Sequence, residues 1–329
     1  MKGFRRGFLI LLFAFPLQLQ AQESPLLRLA QTIPLPRVEG RIDHMAIDAK
    51  GRRLFIAALG NNTLEVVEVG DHPRVKSIAG LREPQGVGFV PEFNRVFAAN
   101  AKGGTCEIFD SETLKLIKSV KFSDDADNVR YDPATRRVYV GYGSGGLGII
   151  DAAQGQKIGA IKLDAHPESF QLEKSGPRIF VNIPEAQEIA VVDREKRAVI
   201  AAWPTSGARA NFPMALDESH HRLFVGFRKP AKIVVFDTES GRSVATLDSP
   251  GDADDIFYDA AHKRIYISGG EGFVGIVQQQ EADHYKTIAN IPTASGARTS
   301  LFAPELGHFY LAVPHRGVQK SELRVYEAE

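Results

Sequence analysis

Apolar and polar residues alternate along most of this chain in short runs bounded by turn residues, the period of strands with one buried face. No window of about 11 residues carries the 3.6-residue period of an amphipathic helix. β-Branched and aromatic residues fill the runs, as in LEVVEV, IAVVD and IVVFD.

The alternation itself recurs. The stretches RRLFIAA, NRVFAAN, RRVYVGY, PRIFVNI, HRLFVGF, KRIYISG and GHFYLAV align on one aromatic each: Phe55, Phe97, Tyr139, Phe180, Phe224, Tyr266 and Tyr310. Successive anchors stand 42, 42, 41, 44, 42 and 44 residues apart. In each unit an alternating segment such as NVRYD or IFYD precedes a turn. The anchor strand follows, and a third and a fourth strand close the unit. Four antiparallel strands repeated at about 42 residues are the signature of a propeller blade.

The expected fold is therefore all-β: a seven-bladed β-propeller of four-stranded antiparallel blades. Blade boundaries fall at about 40–80, 81–122, 123–163, 164–204, 205–247, 248–292 and 293–329. The last unit ends at its third strand, LRVYEAE. The segment LLRLAQTIPLP at 26–36 is expected to supply the missing outer strand, joining both chain ends in one blade.

The anchor stretches RRVYVGY, RLFVGF and RIYISG resemble the Tyr-Val-Thr-Asn-like signature of the YVTN-repeat (YncE-like) propellers, and the blade length and the VVD or IFD endings also fit. The likeness covers essentially the whole chain after residue 21, with HFYLAV and RVFAAN departing most. It implies a seven-bladed, exported protein. It implies no single activity, because such propellers include surface-layer components, a periplasmic DNA-binding protein and relatives of cofactor-oxidising enzyme domains.

Lys2, Arg5 and Arg6 precede an apolar run from Gly7 to Phe15 and a small-residue cleavage site, Leu19-Gln20-Ala21. This is the grammar of a secretory signal over 1–21, with an apolar core too short to span a bilayer. The expected location is periplasmic or secreted, with 22–329 as one domain. The chain has 40 Lys+Arg and 40 Asp+Glu, and removing the signal takes three of the former and none of the latter, leaving −3. Such a balance gives no bulk attraction to nucleic acid, so DNA binding rests on the family likeness alone and is not the expected role. No later apolar run approaches the roughly 18 residues of a spanning helix. The single cysteine, Cys106, cannot form an internal disulfide, so core burial must hold the fold. A closed ring has few free edges, and a monomer is expected.

Gly143-Ser-Gly145-Gly-Leu-Gly148 matches the spacing of a dinucleotide fingerprint. That motif requires a helix after the glycines, and here a strand follows, so a hairpin turn is expected. The nine histidines show no zinc-ligand spacing, and His220-His221 falls in a turn. Asn61-Asn62-Thr63 is a glycosylation sequon.

Candidate chemistry comes from register. Counting back 12 residues from each anchor reaches Asp43, Gln85, Asp127, Glu168, Phe212, Asp254 and Arg298, and the next positions include His44, Asn128 and Asp255. The first strand of a blade is the innermost, so this ring is expected at the mouth of the central channel. Arg298 can neutralise its neighbours Asp254 and Asp43, whereas Asp127 and Glu168, on adjacent blades, have no such partner. Two carboxylates facing one channel raise a pKa or recruit a cation. Arg209 stands in a second SGAR like that of Arg298 and is expected to point the same way, with Asn211 beside it. Loops between second and third strands should open on the same face and bring Arg228 and Arg316 to its rim.

These residues support an exported binding or scaffold protein whose channel mouth holds a small molecule or a protein partner. The alternative is a lactonase-like, metal-dependent hydrolase. There a divalent cation such as calcium would sit on Asp43, Asp127, Glu168 and Asp254, with His44 moving protons. The ring is equally readable as a salt-bridged structural belt.

Overall fold

The computed structural model describes residues 26–329 except Ser206; the expected leader 1–21 lies outside the described residues. Seven four-stranded antiparallel sheets are arranged as blades around an axis. In six of them the strands follow one another in chain order from inside to outside. The seventh runs inward to outward as Thr299–Ala303, His308–Val313, Glu322–Ala328 and then Leu27–Pro34. The N-terminal strand is thus the outer strand of the last blade, paired antiparallel from Leu27 opposite Ala328 to Pro34 opposite Glu322. Leu27, Ile33 and Leu35 are buried by this closure.

The 42-residue repeat has a packing cause. Every anchor aromatic, from Phe55 to Tyr310, is fully buried on the second strand of its blade. Second and third strands are covered on both faces by neighbouring blades, hence their continuous apolar runs, whereas outer strands such as Ala198–Pro204 are mostly exposed. Each hydrophobic cluster joins adjacent blades: Tyr139 of blade three packs with Phe170 and Val181 of blade four. A ring built this way has no independent blade core. Arginines two residues before the anchors add ties between blades. Arg53 donates to Ser111 O of blade two, Arg95 to Ala152 O of blade three, and Arg222 to Asp283 of blade six.

The inner strands carry the feature that positions the site. Their pairing with the second strands slips between Pro84 and Val87, Ala126 and Val129, Asn211 and Met214, and Ala253 and Asp255. In blade one, Asp43 N–H donates to Ala57 O while Ala57 N–H donates to His44 O, two residues facing one; Glu168 and Ser169 face Asn182 in the same manner. A β-bulge bends a strand and re-aims one side chain. The residue 12 before the anchor falls in this irregularity in blades one to six.

Candidate functional site at the channel mouth

All seven ring residues, Asp43, Gln85, Asp127, Glu168, Phe212, Asp254 and Arg298, line one cavity of about 660 Å³ at the channel mouth. Their common register in the repeat gives them a common place in space. The glycine-rich turn contributes Gly143 and Ser144, between the strands Arg137–Tyr142 and Gly146–Asp151, so it is a hairpin turn without a helix. Five further charged residues reach the cavity from loops: Arg41, Asp124, Asp125, His166 and Glu185. Nothing in the repeat marked them, because loops between blades keep no common register.

The charges divide by side. On the arc from blade five to blade one, every cation has a carboxylate. Arg228 pairs with Asp254 and lies 3.5 Å from Asp252; Arg298 reaches Asp252 at 2.7 Å and Asp254 at 2.9 Å; Arg41 pairs with Asp43. The Arg228 guanidinium also stacks on the Phe212 ring, 3.9 Å from its centroid, which explains an aromatic in an otherwise polar ring.

The arc formed by blades three and four and the loop leading into blade three differs. It presents Asp124, Asp125, Asp127, Glu168 and Glu185 to the cavity and no lysine or arginine. Its polar partners are Gln85, donating to Asp125 at 3.2 Å, and His166, whose Nδ1 lies 3.8 Å from Asp125 and 2.6 Å from Gly143 O. Asp127 is 6% exposed, and its Oδ1 has no hydrogen-bond partner among the described residues.

Burial, then the negative charge of Glu168, pushes the Asp127 carboxyl up to about 8, against the opposing pull of His44. Glu168 is pushed up to about 7, first by burial and then by Asp254. His44 moves the other way from the simple burial effect. Desolvation alone would lower it, but Asp255, Asp43 and Asp127 together raise it to about 10. These carboxylates favour the imidazolium form, a counter-charge to the acids around it.

Five sequence-selected residues do not line this cavity. Arg209 is exposed and does not line it: its SGAR begins the inner strand 15 residues before Phe224, whereas Arg298 stands 12 before Tyr310, so the two motifs are out of register by three. Asn211 is buried between blades four and five, donating to Asn182 Oδ1 and Glu188 O. Asn128 is buried beneath the mouth. Asp255 sits below His44, 3.4 Å from its Nδ1, and accepts Ser300 N–H. Arg316 lines a smaller adjoining cleft. Among the described residues no three carboxylate, histidine or cysteine groups are placed to hold a metal ion, and of the four carboxylates selected for one, Asp43 and Asp254 are already engaged by arginines.

Comparison with known proteins gives fold and a distant kinship. No family model matches the chain. It is 25% identical over 167 residues to the uncharacterized protein YncE of Salmonella typhimurium and to that of Salmonella typhi, an alignment covering 49% of this chain and 46% of theirs. The chain thus matches about half the length of these relatives. Among solved structures, it is similar to a chain of the hydrazine synthase of Kuenenia stuttgartiensis, at TM-score 0.73 and 17% identity over 85% of this chain and 93% of that one. A chain of the mitotic checkpoint complex superposes at TM-score 0.78 with 12% identity over 98% of both. At those identities the structures speak for the fold alone. The chain is a seven-bladed β-propeller with weak sequence similarity to YncE.

Proposed function

We propose that this propeller is an exported, monomeric binding protein whose channel mouth captures a small organic cation against blades three and four. The observation that carries the reading is the acidic arc, to whose wall no lysine or arginine of blades three and four contributes, with Asp127 buried in it and its Oδ1 without a hydrogen-bond partner among the described residues. Leaving a buried acceptor unsatisfied costs about 1–3 kcal/mol, which a donor from a ligand recovers. The carboxylates are spread around an opening of about 660 Å³, a space for an alkylammonium group larger than a bare metal ion. The hydrolase reading needs a neutral His44 to take up a proton, whereas the carboxylates of Asp255, Asp43 and Asp127 favour its charged form.

Titration calorimetry of the purified protein with hexylamine, and separately with calcium chloride, tests this. Hexylamine binding that weakens about tenfold or more in Asp127→Asn is expected, the scale of a lost charge-assisted hydrogen bond. Stoichiometric calcium with no amine binding would replace the organic cation by a metal. Silence in both titrations sinks the reading. The location is tested separately by fractionating producing cells. An extracytoplasmic chain beginning at Gln22 is expected, and a cytosolic one beginning at Met1 defeats export.

A further inference from the structure

We infer that the seam between blades seven and one holds an anion subsite for the same ligand, which makes that ligand a bifunctional molecule with an amine at one end and a carboxylate or phosphate at the other. This rests on the cation reading above.

A cleft of about 160 Å³ at this seam is lined by Arg41, Arg298, His315 and Arg316 and by no carboxylate. Arg41 and Arg298 also line the main cavity, so the two spaces share a wall. The cleft therefore opens beside the arc of the mouth that carries cations, away from the acidic arc of blades three and four.

Arg316 is the distinctive member. Among the described residues its side chain makes no hydrogen bond or ion pair, in contrast to Arg41, Arg228 and Arg298. Arg316 is exposed, and the backbone of its loop is held in place. Arg316 and Gln319 exchange backbone hydrogen bonds of 3.0 and 2.9 Å, and the Gln319 amide donates to Ser295 O and Pro314 O. The guanidinium lies against Gly296, where an added methyl would stand 2.5 Å from its Cζ and Nε. A methyl at 296 would displace the guanidinium from this place, and the φ of +76° suits glycine. The SGAR stretch thus has two uses in blade seven: Gly296 seats one arginine and Arg298 supplies another.

Donors remain on the other two forks as well. Arg41 gives Nη2 to Asp43 and keeps Nε and Nη1; Arg298 gives Nη1 to Asp252, holds Nε 2.9 Å from Asp254 Oδ2 as an ion pair, and keeps Nη2. Planar guanidinium forks match carboxylate and phosphate oxygens in pairs, which a lysine cluster would not do. His315, whose Nδ1 lies 2.8 Å from Glu39, completes the basic lining of the cleft.

Calorimetry with three probes separates the ends: hexylamine, 6-aminohexanoate and O-phosphoethanolamine. At least one bifunctional probe should bind about tenfold or more tightly than hexylamine, the scale of one charge-assisted pair. Which of the two does so distinguishes carboxylate from phosphate. Arg316→Ala should remove that advantage and leave hexylamine affinity unchanged, while Asp127→Asn weakens every amine. If all three probes bind alike and Arg316→Ala changes nothing, the anion subsite is overturned and the cation site stands. If no amine binds, the cation reading fails, and inorganic phosphate alone decides the cleft. Phosphate binding lost in Arg316→Ala keeps the subsite, and no phosphate binding removes it.

Discussion

His44 Nδ1 lies 3.4 Å from Asp255 Oδ1, a contact between blades one and six, while Asp255 Oδ2 accepts the Ser300 N–H of blade seven at 2.8 Å. One carboxylate thus ties three blades beneath the site. Because the folded His44 pKa, about 10, lies above its ordinary 6.5, the stability this contact gives is complete below about 6.5 and is lost as pH rises through 10. NMR titration should find the His44 ring protonated throughout pH 5–8. Asp255→Ala should cost about 1.5–3 kcal/mol in urea unfolding, the scale of a hydrogen bond to a charged group, since Asp43 still lies 3.7 Å from His44 Nε2. A His44 resonance that titrates near 6.5 would refute the arrangement.

Asp127 and Glu168 have the opposite sign. Their folded pKa values, about 8 and about 7, lie above the ordinary carboxylate range, so each opposes folding increasingly as pH rises from its unfolded value to its folded one. Asp127→Asn should therefore raise the melting temperature by about 2–4 °C at pH 8 and by less at pH 5. A bound cation favours the ionised pair, so amine binding should release protons near pH 7 and tighten as pH rises to about 8. Calorimetry in buffers of different ionisation enthalpy reads the proton release directly. The groups opposing or aiding this titration are His44, Asp43, His166, Asp254 and Arg228, together with Arg41 and the buried Arg130, which both interact with Asp127.

Arg228 combines a stack on Phe212 with ion pairs to the acids of blade six. Arg228→Lys keeps the charge but loses the planar fork, and it should destabilise by about 1–2 kcal/mol. Chemical denaturation measures this. A lysine variant as stable as the parent would show that charge alone acts here.

Gly86 follows the blade-two ring position, and a Cβ there would stand 2.3 Å from Asp127 O. Gly86→Ala should displace the Asp127 backbone and weaken amine binding without changing any charge. Unaltered binding in a folded variant would show that the position of Asp127 is not critical.

The outer strand Leu27–Pro34 closes the ring by burying Leu27 and Ile33, worth about 1.5–3 kcal/mol each. A chain starting at residue 37 should lose its cooperative melt and aggregate through the exposed edge of Glu322–Ala328. A truncated protein with an unchanged melt would rule out this closing role.

The repeat by itself determined the blades, the sharing of the last blade between both chain ends, and the ring of seven positions at the channel mouth. It could do so because identical blades need the same buried aromatic at the same step, and equal register puts equal positions at equal depth. Tertiary structure decided which ring members are free. Asp43 and Asp254 read like Asp127 in the sequence, yet among the described residues they are ion-paired to arginines and Asp127 is not: Arg41 and Arg228 approach from outside the repeat's register, and Arg298, at the blade-seven ring position, turns to the acids of blade six. The three-residue offset between the two SGAR stretches sent Arg209 to solvent and Arg298 into the cavity. The cleft at Arg316 exists only because ring closure sets blade seven beside blade one, joining residues about 275 positions apart in the chain.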